Sequence, residues 1–244
     1  MIIRKFIIAI LLLTALTGVI AQDTKVDNVA VQILDRMSNI IGDLEACKFT
    51  LQTSYDVVLH DFGMIKRSGT SDVIFYGPDK LSVQTHGDKG HRGIWYNGSQ
   101  IFFYSYDENN YAVVDTPPTT METIDFINKD YGIEFPAADF FFPAFTDDII
   151  DNFNEIRYVG LTTIGGAECF QILVVNDEMR IQFWIANDSY NLPVKFSITY
   201  NKENHPQYEA IFSNWELNQN TPIPIFNFMP PSRAKEVKLI PISK

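Results

Sequence analysis

The sequence predicts a mainly β fold of the α+β class: an antiparallel meander, an N-terminal helix and a helical insert. Three observations predict it. Residues 23–46 repeat apolar side chains at three- and four-residue steps, the period of a helix with one buried face. From Cys47 the period changes to two, as in a strand with one face buried and one wet. Between residues 116 and 154 the alternation stops and helix signals return.

The first segment precedes the fold. Residues 1–21 read as a secretory signal, with Arg4 and Lys5 ahead of an apolar run from Phe6 to Ile20 that is too short to span a bilayer comfortably. Cleavage is expected before Gln22, leaving residues 22–244 as one exported domain with no transmembrane segment. Formal charge is −11 for the whole chain, with 19 basic and 30 acidic residues, and more negative once Arg4 and Lys5 leave. That excess argues against nucleic-acid binding and against electrostatic adhesion to an anionic membrane. At 46% hydrophobic and 14% aromatic residues, the chain is too rich in large apolar groups to be disordered.

The N-terminal stripe is Val26, Val29, Ala30, Ile33, Leu34, Met37, Ile40, Ile41 and Leu44, with Asp23, Thr24 and Asp27 supplying cap and dipole chemistry. Residues 47–114 then read as about six strands. Their turns are marked by Asp61-Phe62-Gly63, Gly77-Pro78-Asp79, Gly87-Asp88-Lys89-Gly90, Asn97-Gly98 and Asp107-Glu108-Asn109-Asn110. Pro117-Pro118 ends the run. Thr119 and Glu122 have capping-box spacing for a helix that stops at Gly132. Pro136 suits the first turn of a second helix over residues 136–142, and Thr146, Asp147 and Asp148 open a third. Strands resume over residues 155–163, 167–175, 179–186, 193–200 and 207–217, with a last one expected at 236–240.

Several strings in this order resemble a family of predicted periplasmic bacterial proteins known as domain of unknown function 2092. They include Phe135-Pro136-Ala137-Ala138-Asp139, Gly165-Gly166-Ala167-Glu168-Cys169, Phe183-Trp184-Ile185, Asn191-Leu192-Pro193-Val194-Lys195 and Phe226-Asn227-Phe228-Met229-Pro230-Pro231. The resemblance spans nearly all of the chain after the signal. That family is similar in architecture to the lipoprotein carriers LolA and LolB. It therefore implies a periplasmic location and a strongly curved, unclosed antiparallel half-barrel whose concave face is covered by helices. The carriers hold their covering helices with a buried Arg on an early strand, for which Arg67 is the candidate here.

The residues themselves suggest little chemistry. There is no G-x-S-x-G, and Cys47 and Cys169 lie in strand-like contexts rather than beside a base. In an exported chain those two cysteines either pair or remain buried thiols, and neither spacing nor flanks select pairing. His86, Asp88 and His91 share one hairpin and form the single candidate metal cluster, with a surface role as the plainer reading. Asp147, Asp148 and Asp151 read as solvated helix-start charges, and Asp139 as a polar anchor that accepts hydrogen bonds from backbone N–H groups. No catalytic residue, metal or cofactor is expected.

The sharpest feature is Phe140-Phe141-Phe142 with Phe145. Successive helical residues rotate by about 100°, so three consecutive rings cannot share one side. Either the helix is sandwiched, or some rings face an apolar ligand space. The resemblance favours the second. The expected function is a non-catalytic periplasmic protein that holds a lipid, acyl chain or lipoprotein. Trp95, Met121, Phe126, Phe140, Phe141, Phe142, Phe145 and Trp184 are the expected lining or lid residues. An envelope assembly factor with a solid core, and a hydrolase with an unrecognised site, are the alternatives.

Overall fold

The computed structural model describes residues 25–242, so the signal segment lies outside the described residues. Helix α1 (Asn28–Gly42) is followed by strands β1 (Ala46–Leu59), β2 (Gly63–Tyr76), β3 (Lys80–Gly87), β4 (Gly90–Tyr96), β5 (Gln100–Ser105) and β6 (Asn110–Asp115). The insert contains helix α2 (Thr120–Tyr131), a 3-10 turn (Ala138–Phe141) and helix α3 (Phe145–Asn152). Strands β7 (Glu155–Ile164), β8 (Ala167–Val175), β9 (Met179–Ala186), β10 (Pro193–Tyr200) and β11 (Gln207–Leu217) follow, and a short β12 (Lys235–Glu236) ends the sheet.

All twelve strands form one sheet in the order β12-β6-β5-β4-β3-β2-β1-β11-β10-β9-β8-β7. Two meanders therefore join where β1 meets β11. The sheet is curved and its two edges do not pair with each other, so it is an unclosed half-barrel. Register breaks at Lys48/Thr50, Tyr158/Gly160 and Pro193/Lys195 contribute to the bending, because an extra residue in one strand raises local twist. The insert runs from β6 to β7. It thus connects opposite halves of the sheet across the concave face.

Helix α1 begins later and ends earlier than its apolar stripe. Its leading residues act as strand instead: Asp27 N–H donates to the Ile156 carbonyl at 2.9 Å, and Ile156 N–H to the Lys25 carbonyl at 2.8 Å. At the other end, Asn218 Oδ1 accepts from the N–H groups of Glu45 and Ala46, starting β1 directly. The Asp27 carboxylate caps α1 by accepting from Val29 N–H at 2.8 Å and also accepts from Tyr158 N–H at 3.3 Å. Asp27→Ala removes both links. We expect it to lower the unfolding free energy by about 1–2 kcal/mol in urea titrations, and an unchanged midpoint would contradict this role.

Helix α2 has the expected capping box: Glu122 N–H donates to Thr119 Oγ1, and Thr119 Oγ1 donates to Glu122 Oε2 at 2.7 Å. Gly132 ends it at φ +66°, a left-handed conformation that glycine adopts without a Cβ penalty. The second helix is shorter than expected. Ala137 also has φ +66°, so the chain turns there and only one 3-10 turn follows, with Pro136 outside it. The last strand is shorter too, and it pairs in parallel with Asn110 and Tyr111 on the β6 edge.

The cysteines are free and buried. Cys47 is on β1 and Cys169 on β8, four strand positions apart; at ~4.8 Å per step their Cα atoms lie far beyond the ~7 Å limit for a disulfide. Burial pushes the Cys47 thiol up to about 12 and raises that of Cys169 as well. We expect neither thiol to react with a bulky aromatic disulfide reagent at pH 8 in the native protein, and both to react after denaturation. Rapid native labelling would show the fold to be more open around β1 or β8.

Candidate functional site

The two halves of the concave face are filled differently. Over β9–β11 the rings of the insert pack directly on the sheet. Phe140 is 3% exposed and lies 5.0 Å from Phe145, 5.3 Å from Phe196, 5.5 Å from Phe212 and 5.9 Å from Phe183, measured between ring centroids. Helix α1 closes this half with the buried faces of Ala30, Ile33, Leu34, Met37 and Ile41.

Over β1–β6 the insert stands off the sheet and leaves a cavity of about 730 Å³, within the usual range for small-molecule sites. Strand alternation decides which side chains face it. Phe49 and Leu51 of β1, Val73 and Phe75 of β2, Leu81 and Val83 of β3, Ile94 of β4 and Phe103 of β5 line its floor. Their register is continuous: Val73 pairs with Val83, Val83 with Ile94, Ile94 with Phe103 and Phe103 with Ala112. Met121 and Ile124 of α2 and Phe141 of the 3-10 turn face them, and Val237 and Leu239 of the C-terminal segment close the side.

The covering elements are tied at both ends. Buried Tyr96 donates its hydroxyl to the Pro117 carbonyl at 2.8 Å, Thr123 Oγ1 donates to the same oxygen, and Thr120 N–H donates to the Pro78 carbonyl. Past β12, Ile242 N–H donates to the Asp130 carbonyl at 2.9 Å, linking the C-terminal segment to the end of α2. Arg67 does not serve as the tie. It lies on the projecting part of β2, opposite Tyr55, with no hydrogen bond to the insert among the described residues.

The three consecutive phenylalanines diverge, as a turn of about three residues requires. Phe140 points into the packed half, while Phe141 stacks on Phe49 at 5.9 Å, meets Phe75 at a tilt at 5.5 Å and borders the cavity. Phe142 is half-buried against the core, and Phe145 is buried beside Phe140. Phe126 packs edge-on to Tyr131 at 6.0 Å. Of the eight residues singled out in the sequence, Met121 and Phe141 line the cavity.

Trp95 and Trp184 fall on the other face of the sheet. Each is one residue past an inward side chain, Ile94 or Phe183, and alternation sends it outward. Trp95 packs on Phe228 at 4.8 Å, and Lys195 Nζ sits over the Trp184 ring. For Trp95, alternation on β4 relative to Ile94 is enough; for Trp184, the helical insert and the register break at Tyr158/Gly160 interrupt any count that starts on β1. Sequence reasoning also missed the cavity's polar rim and its C-terminal wall.

No group of three or more His, Cys, Asp or Glu side chains among the described residues is arranged to hold a metal ion. His86 and His91 stack face to face at 3.6 Å, and the Asp88 carboxylate accepts from Ser68 N–H at 2.7 Å. Asp139 caps no neighbouring backbone group among the described residues; although part of the residue is exposed, crowding by the insert around its carboxyl raises it above the usual range, offset in part by its own backbone N–H. Among the described residues, no histidine lines the cavity.

Among solved structures, the fold is similar to an uncharacterised conserved protein from Thermus thermophilus, with TM-score 0.51 and 11% identity over 86% of this chain and 99% of that one. It is also similar to the lipoprotein LppX of Mycobacterium tuberculosis (TM-score 0.46, 12% identity, 81% and 99% covered). A LolA superfamily protein from Nitrosomonas europaea matches at TM-score 0.34 and 10% identity, with 82% and 97% covered. No curated protein sequence matches the chain. A family model described as a predicted periplasmic protein, DUF2092, matches residues 30–240.

Proposed function

The chain belongs to the DUF2092 family of predicted periplasmic proteins, and from that premise we propose that it is a non-catalytic carrier that holds an apolar ligand, a lipid or acyl chain, between its sheet and insert. The observation that supports this most is the unequal filling of the concave face: in one half Phe140 packs directly on rings of the sheet, and the other keeps a cavity of about 730 Å³ with an apolar floor. Binding there needs no chemistry. Each methylene moved from water onto that floor contributes about 0.8 kcal/mol. Direct packing of that kind is what an assembly factor with a filled core would need throughout, and the open half is what favours a carrier.

Native mass spectrometry after gentle purification, with solvent extraction of bound lipid, tests the proposal. We expect a copurifying apolar ligand, or saturable binding of a fluorescent fatty acid by the emptied protein. A ligand-free protein that also ignores the probe would overturn it.

A further inference from the structure

The cavity is zoned along its strands. Around the Val73, Val83, Ile94 and Phe103 row its floor is apolar; the next inward row is polar from β2 to β6, with Leu51 of β1, opposite Ser71, ending it on an apolar side chain. Ser71 pairs with Thr85, Thr85 with Arg92, Arg92 with Ser105 and Ser105 with Asn110, and all five line the cavity. Lys89, in the β3–β4 turn, joins this rim with its Nζ 5.1 Å from the Tyr55 ring centre. On β2 the two zones together span residues 69 to 75, roughly 20 Å at the rise of a strand.

Most polar groups of the rim are already used. Ser71 and Thr85 hydrogen-bond each other at 2.8 Å, Ser105 Oγ accepts from Glu108 N–H, and Asn110 Nδ2 donates to Glu108 Oε2. The Arg92 guanidinium has no hydrogen-bond or ion-pair partner among the described residues. The Tyr208 hydroxyl, also in the lining, is buried without a hydrogen-bond partner; a second such hydroxyl, Thr120, lies at the other end of the cavity, beside the β2–β3 turn. Two acids face the same space. Glu108 is engaged by Asn110, and Glu134 lies on the exposed loop after α2.

We propose that the ligand is an anionic amphiphile, with its hydrocarbon chain on the apolar floor and its carboxylate or phosphate head at Arg92, flanked by Lys89. This inference rests on the carrier reading and adds the class of head group. An arginine fork suits a planar or tetrahedral anion, and charge-assisted hydrogen bonds are the strong ones. Arg92 is itself exposed, at the cavity's mouth, so its guanidinium can meet a head group that stays at the water boundary while the chain is buried.

The test compares a fluorescent long-chain fatty acid with its uncharged methyl ester on wild type, Arg92→Ala and Arg92→Lys, with circular dichroism to verify folding. Wild type is expected to prefer the carboxylate. Arg92→Ala should weaken the acid on the order of tenfold, the ester hardly at all, and Arg92→Lys should restore part of the difference. Raised salt should narrow the acid–ester gap. An alkyl phosphate probe in place of the acid shows which anionic head is preferred, and either preference supports the assignment. Equal affinity of wild type for acid and ester, or equal losses for both in Arg92→Ala, would overturn the head-group inference while leaving the carrier reading intact. Absence of binding by either probe would overturn the carrier reading and this inference with it.

Discussion

Phe140→Ala should lower the unfolding free energy by about 3–5 kcal/mol, the range for truncating a fully buried aromatic side chain. Phe140 is surrounded by rings from four elements: Phe145 from the insert, Phe183 from β9, Phe196 from β10 and Phe212 from β11. Removing it takes away the central contact between insert and sheet, and the stiff neighbouring rings cannot collapse far into the space. Phe141→Ala is the informative contrast. Its ring already borders open volume, so less packing is lost, and we expect less than half the cost together with a larger cavity. Chemical denaturation of both variants checks the pair. Equal costs would mean that Phe141 is packed as tightly as Phe140 and does not border open volume.

Ile94→Trp should abolish most ligand binding with little loss of stability. Ile94 sits half-buried in the middle of the floor, between Val83 and Phe103. A larger ring there grows into free volume instead of into packed neighbours, so the usual overpacking cost of about 1–3 kcal/mol should be largely avoided. If the indole occupies space equal to about four methylenes of the ligand, about 3 kcal/mol of transfer free energy is lost, close to a hundredfold in affinity. Titration with a fluorescent fatty acid measures the affinity and thermal unfolding measures the stability. Unchanged affinity in a folded variant would place the ligand elsewhere.

Much of the fold could be read from residues alone because its signals are local. Gly165-Gly166 and the Thr119–Glu122 pair each dictate a short-range conformation, and that turn and helix start occur as expected. Asn97-Gly98 also turns the chain, but through a three-residue loop in which only Gly98 has positive φ and the Asn97 carboxamide oxygen accepts from the N–H groups of Ser99 and Gln100. The second helix could not be read this way. Pro136 is a fair helix starter by type, but Ala137 at φ +66° breaks the helix there and only one 3-10 turn follows. The cavity was half legible. The phenylalanine run pointed to the insert, but which ring faces which half depends on where β9, β10 and β11 lie beneath it. Choosing Trp95 by residue type overlooked strand parity, which was present in the sequence. Arg92 reads by type as an ordinary strand residue, since its importance depends on Ser71, Thr85, Ser105 and Asn110 arriving from other strands.

The joint between β1 and β11 has a kinetic consequence. Each meander can form from neighbouring hairpins, whose short loops close quickly. The joint instead unites residues as far apart as Ala46 and Asn218, 172 positions along the chain. Such a long-range pairing makes folding slow, and until it forms both meanders present an unpaired inner edge. The slowest step on the way to this protein should therefore be the zipping of two preformed half-sheets, and that interval is when an unfinished chain is most exposed to aggregation and most in need of a chaperone.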